Sequence, residues 1–175
     1  MVGVPRHPIS CSASTTNLAD SVQNATQRAL AAIGDPLGMG EIGCFCPPST
    51  SVVSGTDPRT GKPYVNQLFL GHTAGAAVAY QDAWLTMLHA GNGGMCFIDS
   101  VELDEVYTPI VVKTRRLIPD SEGAGRFRGA PGIEVELGPI DCRMEACFVA
   151  DGNINVPQGA RGGGDAARSD QFRRK

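Results

Sequence analysis

Asp120-Ser-Glu-Gly-Ala-Gly-Arg-Phe-Arg-Gly-Ala-Pro-Gly132 is a glycine-punctuated run set between two segments of a different character. Before it, Tyr107 to Leu117 is rich in β-branched residues and reads as a strand; after it, Ile133 to Leu137 alternates apolar residues with Glu, as a half-exposed strand does. The run therefore joins two strands rather than opening a helix, which separates it from a dinucleotide-binding fingerprint. Further strand patterns lie at Tyr64 to Leu70, which Gly71 interrupts, and at Arg143 to Ala150; the pattern after Cys96 is β-like throughout.

Upstream, Ser14 to Ile33 offers Ser, Thr and Asn as helix caps. Apolar residues follow at Leu18, Val22, Ala25, Ala29, Leu30 and Ile33, the spacing of one helical face. That predicts a leading helix stopped by Gly34 and Pro36, with Gln23, Asn24, Gln27 and Arg28 on its outer side. From Asp35 to Lys62 the chain turns to Gly, Pro, Ser and Thr and reads as a long irregular connection, with its strongest turn chemistry at Thr56 to Pro63. Loops of that length are uncommon in a compact domain unless they serve function or meet a partner. Ala74 to Ala90 suits a helix by composition, ahead of Gly91-Asn-Gly-Gly94. Because runs of strands follow one leading helix instead of alternating with helices, the fold class is α+β: one leading helix, a long loop, then mainly antiparallel strands.

The 175 residues and 18.3 kDa suit a single domain. A net charge of −3 and a pI near 5.6 argue against a nucleic-acid partner. Apolar stretches such as Gly75 to Ala79 are far too short to span a bilayer, so no membrane role is expected. Met1-Val-Gly-Val-Pro-Arg-His-Pro8 has no apolar core resembling a secretion signal, which points to the cytoplasm, where the six cysteines stay reduced.

His7, His72 and His89 fall in no spacing that places two ligands on one helical face, and the cysteines form no Cys-x-x-Cys. No metal site is expected, and the cysteines read as small buried hydrophobes. His72 follows a strand among small residues that let a ligand approach closely. On a helix, Asp82 and His89 would share a side and could pair, so His72, Asp82 and His89 are the catalytic candidates, as acid–base groups. Gly123, Gly125, Arg126 and Arg128 are candidates for positioning a substrate or anion, since glycines let backbone N–H groups face an anion and arginine adds charge. A tight turn stapled by Asp120 to Arg126 or Arg128 is the structural alternative, and the spacing favours it.

Several of these motifs together, Gly55-Thr-Asp-Pro-Arg-Thr-Gly-Lys-Pro-Tyr64, Asp82 with Trp84, Glu102 followed by Tyr107-Thr-Pro109, and above all Asp120 to Gly132, resemble the hydantoinase B family in order and spacing. The likeness runs from the Ser14 helix to Gly159-Ala-Arg-Gly-Gly163. That family includes B subunits of ATP-dependent hydantoinases, the matching half of oxoprolinases, and subunits of acetone and acetophenone carboxylases. The resemblance implies the C-terminal portion of a hydantoinase B-type fold over residues 1–163, followed by a polar basic tail at 164–175 whose end frays or meets a partner. The family's His-His-x-Asp region is missing here, so the likeness brings no metal ligands to this chain; Met1 and the long loop favour a naturally split B subunit over a fragment.

The resemblance further implies a small subunit of a multi-subunit enzyme. An ATPase-like hydantoinase A-type subunit phosphorylates an amide or enolate oxygen, and a separate chain supplies the N-terminal part of the B subunit. ATP/Mg and a catalytic metal belong to those partners, and no cofactor is bound by this chain. The expected reaction is hydrolysis of a cyclic amide. The alternatives are ketone carboxylation and a noncatalytic role that completes the B fold. The glycine turn with Arg126 and Arg128 could position the B fold or stabilise an anionic intermediate, and a mainly structural role is expected of it.

Overall fold

In a computed structural model of the chain, the residues described are 19–34, 37–43, 51–71, 73–83, 85–86, 98–148 and 152–173. The elements are α1 (Ala19–Ile33), β1 (Ser51–Thr56), β2 (Pro63–Leu68), β3 (Thr73–Ala74), β4 (Leu85–Thr86), α2 (Val101–Tyr107), β5 (Ile110–Leu117), β6 (Ile133–Pro139) and β7 (Met144–Phe148). All strand pairings are antiparallel: a three-stranded sheet in the order β2-β1-β7, the pair β5-β6, and the short pair β3-β4. The α+β architecture with a leading helix is as the sequence predicts.

The core lies where the sheets meet. Val53, Leu68, Leu70 and Ile110 are fully enclosed, with Tyr64, Val101, Val112, Val135, Leu137 and Met144 packed around them. In β1, Ser51 and Val53 are buried and Val52 is exposed, the period of two that puts alternate residues in the core. This strand lies inside the stretch expected to be an irregular connection. Gly55 meets Tyr64 across the ladder, and a Cβ there would lie 2.9 Å from the Tyr64 hydroxyl and 2.7 Å from the Arg143 carbonyl.

The turn chemistry at Thr56 to Pro63 closes the β1–β2 hairpin. The Asp57 carboxylate accepts from the Arg59 backbone N–H at 2.8 Å, an Asx turn, while Gly61 N–H donates to the Asp57 carbonyl at 2.7 Å with Gly61 at φ 69°. The Arg59 guanidinium donates from Nε and Nη2 to the same carboxylate, and its Nη1 donates to the carbonyls of Glu105 and Val106 at 3.3 and 3.0 Å. The hairpin tip thus satisfies carbonyls at the C-terminal end of α2, which otherwise lack partners. Beside this guanidinium the Asp57 carboxyl is held below the ordinary aspartate range.

Two expectations are corrected here. Tyr107 ends a helix, not a strand. Ser100 caps that helix by accepting from Leu103 N–H, with Glu102 and Asp104 in its first turn, and these local signals override the β-like composition. The described part of Ala74 to Ala90 is not helical: β3, a turn bridged between Val78 and Gln81, and β4 take its place. Its alanines supply helix propensity but no apolar stripe to pack, and Gly75 weakens it further.

Asp104 on α2 is buried, with Asn66 Nδ2 donating to its Oδ1 at 3.3 Å and to Thr108 Oγ1 at 3.0 Å, while Oδ2 has no partner. Burial, aided by the nearby Asp99 charge, pushes its pKa above the ordinary range; Asn66 and Arg115 oppose the shift. A raised carboxyl favours the fold below its ordinary pKa and loses that contribution as pH climbs through the folded value. Asp104→Asn, neutral at every pH, is therefore expected to raise the thermal unfolding midpoint by a few degrees at pH 8 and to leave it nearly unchanged at pH 3, as calorimetry at the two pH values would show.

Candidate active-site cleft

The antiparallel pair β5-β6 projects the 118–132 loop, and the loop is closed at its base. Ser121 Oγ donates to the Ile118 carbonyl and accepts from Gly132 N–H, both at 2.7 Å, and Ile118 N–H donates to the Gly132 carbonyl at 2.9 Å. Asp120 takes a left-handed conformation at φ 56° to enter the turn. Gly129 N–H then donates to the Gly123 carbonyl, folding the loop back on itself.

Three other segments assemble on this loop. Gly164 N–H donates to the Ala124 carbonyl at 2.7 Å and Ala167 N–H to the Ser121 carbonyl at 2.9 Å, drawing in the chain after Pro157. Ala130 N–H donates to the Gly75 carbonyl, and Ala83 N–H to the Arg128 carbonyl, drawing in 75–83. Glu41 N–H donates to the Gln158 carbonyl, and Gln158 N–H returns a bond to Glu41 Oε2 at 2.9 Å, adding 37–43. Between them lies a half-open cleft of about 350 Å³. The polar basic segment expected from residue 164 is held against the body as far as Ser169, which bonds the Gly152 carbonyl.

Glycine is required for this assembly. A Cβ on Gly123 would lie 2.5 Å from the Gly164 carbonyl oxygen, and one on Gly159 2.4 Å from that of Gly163. Both contacts are with backbone, which cannot swing aside.

Of the candidate residues, Gly123, Gly125 and Arg126 line the cleft. The Arg126 guanidinium sits over the Phe127 ring, 5.4 Å from its centroid. Arg128 points elsewhere: its backbone N–H donates to Asp82 Oδ1 at 2.8 Å, and its guanidinium lies 3.9 Å from the Asp82 carboxylate and 3.8 Å from that of Glu122. The staple expected from Asp120 is thus made by Asp82 and Glu122, which approach Arg128 from 75–83 and from within the loop. Asp82 is exposed and lies in non-helical chain, so the helical geometry that would bring it to His89 does not hold at its end; His72 and His89 lie outside the described residues.

Reading from sequence missed Glu41, Gln158 and Arg161 as cleft residues. Arg161 donates through Nη1 to the Ala31 carbonyl at 3.0 Å, tying the cleft to α1, and adopts φ 48° ahead of Gly162. Its signal was present in Gly159-Ala-Arg-Gly-Gly163, a second glycine-flanked arginine like Arg126. Glu41 pairs with Arg28 Nη1 at 3.1 Å and accepts from Gln158 N–H, so its charge is already met, and Arg126 is the cleft arginine that suits a ligand carrying negative charge. Among the described residues no three His, Cys, Asp or Glu side chains group in a way that would hold a metal ion, so the metal implied by the family resemblance has no fitting donor set there.

Gly123→Ala is expected to lower stability by about 1–3 kcal/mol, because the overpacked contact is backbone on backbone; denaturant unfolding measures it. Asp82→Ala is expected to cost about 1 kcal/mol through the lost bond to Arg128 N–H, whereas Asp82→Asn, which keeps an accepting oxygen, is expected to be nearly neutral. Equal losses for the two would show that charge and not the bond carries the contact.

Comparison with known proteins identifies the family and the fold. The family model described as hydantoinase B/oxoprolinase matches residues 1–175. Caprolactamase subunit beta of Pseudomonas jessenii is 30% identical over 112 residues, covering 63% of this chain and 19% of that protein. A nucleotide-free acetone carboxylase structure, from work on the mechanism of ATP-dependent acetone carboxylation, shares the fold with a TM-score of 0.65 at 20% identity, covering 87% of this chain and 20% of that one. This chain therefore spans about one fifth of the length of both. With the family model matched along its whole length, the chain belongs to the hydantoinase B/oxoprolinase family.

Proposed function

We propose that this chain is the small subunit of a multi-subunit, ATP-dependent amidohydrolase that opens a cyclic amide after phosphoryl activation. The observation that carries the reading is the glycine-walled cleft with Arg126 at its edge, in a chain that matches about one fifth of the length of its relatives. A relative named caprolactamase supports a lactam as the substrate class.

An unactivated amide is a poor electrophile. Transfer of a phosphoryl group to its oxygen gives an imidate phosphate whose carbon is electrophilic, so water adds at carbon; the C–N bond of that adduct breaks with nitrogen leaving protonated, and the acyl phosphate that remains reacts with a second water to release phosphate. In this scheme a partner A-type subunit binds ATP and Mg and transfers the phosphoryl group, and a separate chain supplies the remaining B-type body with any catalytic metal. This chain's part is electrostatic. Arg126, spread over Phe127 and facing the cleft, meets the negative charge of the phosphorylated oxygen, while the backbone-locked loops hold it in place without reorganisation. His72, Asp82 and His89 remain the acid–base candidates, with Asp82 held against the loop through Arg128. No described helix is long and apolar enough to cross a membrane.

Ketone carboxylation is the second reading, favoured by the fold shared with acetone carboxylase. The reconstituted complex is expected to turn over ATP with a lactam or hydantoin in bicarbonate-free buffer, and the isolated chain to be inactive. ATP turnover that requires both a ketone and bicarbonate would replace hydrolysis with carboxylation. Arg126→Ala is expected to lower kcat by about 100-fold with assembly intact, the scale of losing one preorganised electrostatic contact. If substitutions at Arg126, His72, Asp82 and His89 alter assembly alone, the chain is a structural subunit.

A further inference from the structure

α1 is turned inside out. The side that faces the body is polar: Asn24 brackets Ile42, accepting from its N–H at 2.9 Å and donating to its carbonyl at 3.5 Å, Arg28 pairs with Glu41, and the Gln27 and Ala31 backbone lies against Gly38. A Cβ on Gly38 would sit 2.4 Å from both the Gln27 carbonyl and the Ala31 nitrogen, so helix and loop are in backbone contact there. Residues 24, 27, 28 and 31 follow the spacing of one helical face. The apolar stripe lies on the opposite side, at Val22, Ala25, Ala29 and Ile33, all exposed, with Val22 at 48% and Ile33 at 72%. Of the face expected to pack inward, Val22, Ala25, Ala29 and Ile33 are exposed and Leu30 is half-buried; of the face expected outward, Gln23, Asn24 and Gln27 are half-buried and Arg28 is exposed.

The directional bonds at Asn24, Arg28 and the Ala31 carbonyl fix the helix about its own axis, so it cannot roll to bury the stripe against this chain. A helix of 15 residues is marginal in water without a covered apolar face. The stripe carries no charge, which is the character of a permanent interface and not of a transient polar one. One helix face is also too small for a stable interface of about 800 Å² per partner, so its occupant must extend well beyond it. The relatives supply such an occupant: in each, about four fifths of the chain lies outside the matched part.

We infer that the outward stripe of α1 is the docking surface for the remaining body of a hydantoinase B-type polypeptide. The inference rests on the multi-subunit reading above and assigns it an interface.

The test uses the full chain, purified under mild conditions from its host and examined by native mass spectrometry with every bound polypeptide identified. Wild type and the control Lys113→Gln, on the far strand β5, are expected to carry a second polypeptide that matches the hydantoinase B family. Val22→Asp and Ala29→Glu each place an uncompensated charge in the interface and are expected to weaken that association by more than about tenfold. Circular dichroism checks that both variants keep their helix. Independently, the thiol introduced by Ala29→Cys should alkylate rapidly in the isolated chain and slowly in the complex.

If the B-type polypeptide stays bound to Val22→Asp and Ala29→Glu, the docking inference is overturned and the proposed function stands. If wild type carries no such polypeptide, the multi-subunit reading falls and the inference with it. A homodimer that Val22→Asp disperses would assign the stripe to a second copy of the chain, and slow alkylation of the Ala29→Cys variant as an isolated monomer would assign it to the chain's own residues; both overturn the inference.

Discussion

The cleft depends on one constraint, the close approach of backbone to backbone between the 118–132 loop and the chain after Pro157, and within the latter, with only hydrogen atoms between them. Gly123 against the Gly164 carbonyl and Gly159 against that of Gly163 leave no room for a side chain, and the bond from Gly164 N–H to the Ala124 carbonyl closes the contact. Backbone pairing of this kind has a functional consequence. Loops usually supply adaptable side chains on a rigid frame, but here the loops themselves form the frame. Arg126 projects from it over the Phe127 ring, without a carboxylate partner among the described residues, while Arg128, two positions on, is committed to Asp82 and Glu122.

That division of labour was only half legible in the sequence. The Asp120 to Gly132 run announces a tight, glycine-dependent turn between two strands, and β5 and β6 lie on either side of it as the alternation requires. Which arginine is structural was not legible, because the residues that choose, Asp82 and Glu122, act through tertiary contacts. Asp82 is brought to Arg128 from 46 positions away in the chain. Spacing favoured Asp120, but at φ 56° Asp120 is spent on the chain reversal.

The same distinction separates the elements read correctly from those misread. The hairpin at Asp57 to Lys62 is encoded locally, by an Asx turn and a glycine at positive φ, and the leading helix by its periodicity. α2 was missed although Ser100, Glu102 and Asp104 are sound start signals, because its seven residues are too few for periodicity to register against β-branched neighbours. Its stability comes from elsewhere in any case: Arg59 from the hairpin tip satisfies its last carbonyls, Asn66 from β2 holds Asp104, and Val112 N–H donates to Glu105 Oε1. The β1–β2 hairpin, distant in sequence, and the adjoining strand β5 together secure one short helix.

The helix that was read correctly was oriented wrongly, and that error carries information. Periodicity identifies which residues share a face, but the direction the face points depends on what is available to cover it. Among the described residues the fully buried apolar set is small, Ala31, Val53, Leu68, Leu70, Ile110 and Ala130, whereas Val22, Ile33, Val65, Leu103, Val106 and Tyr107 are exposed. A sequence that encodes an apolar stripe on a helix and then anchors the opposite side with directional polar bonds specifies a surface to be covered by something outside that core. Arg161 connects that surface to the chemistry: it lines the cleft and also holds the last buried turn of α1 through the Ala31 carbonyl.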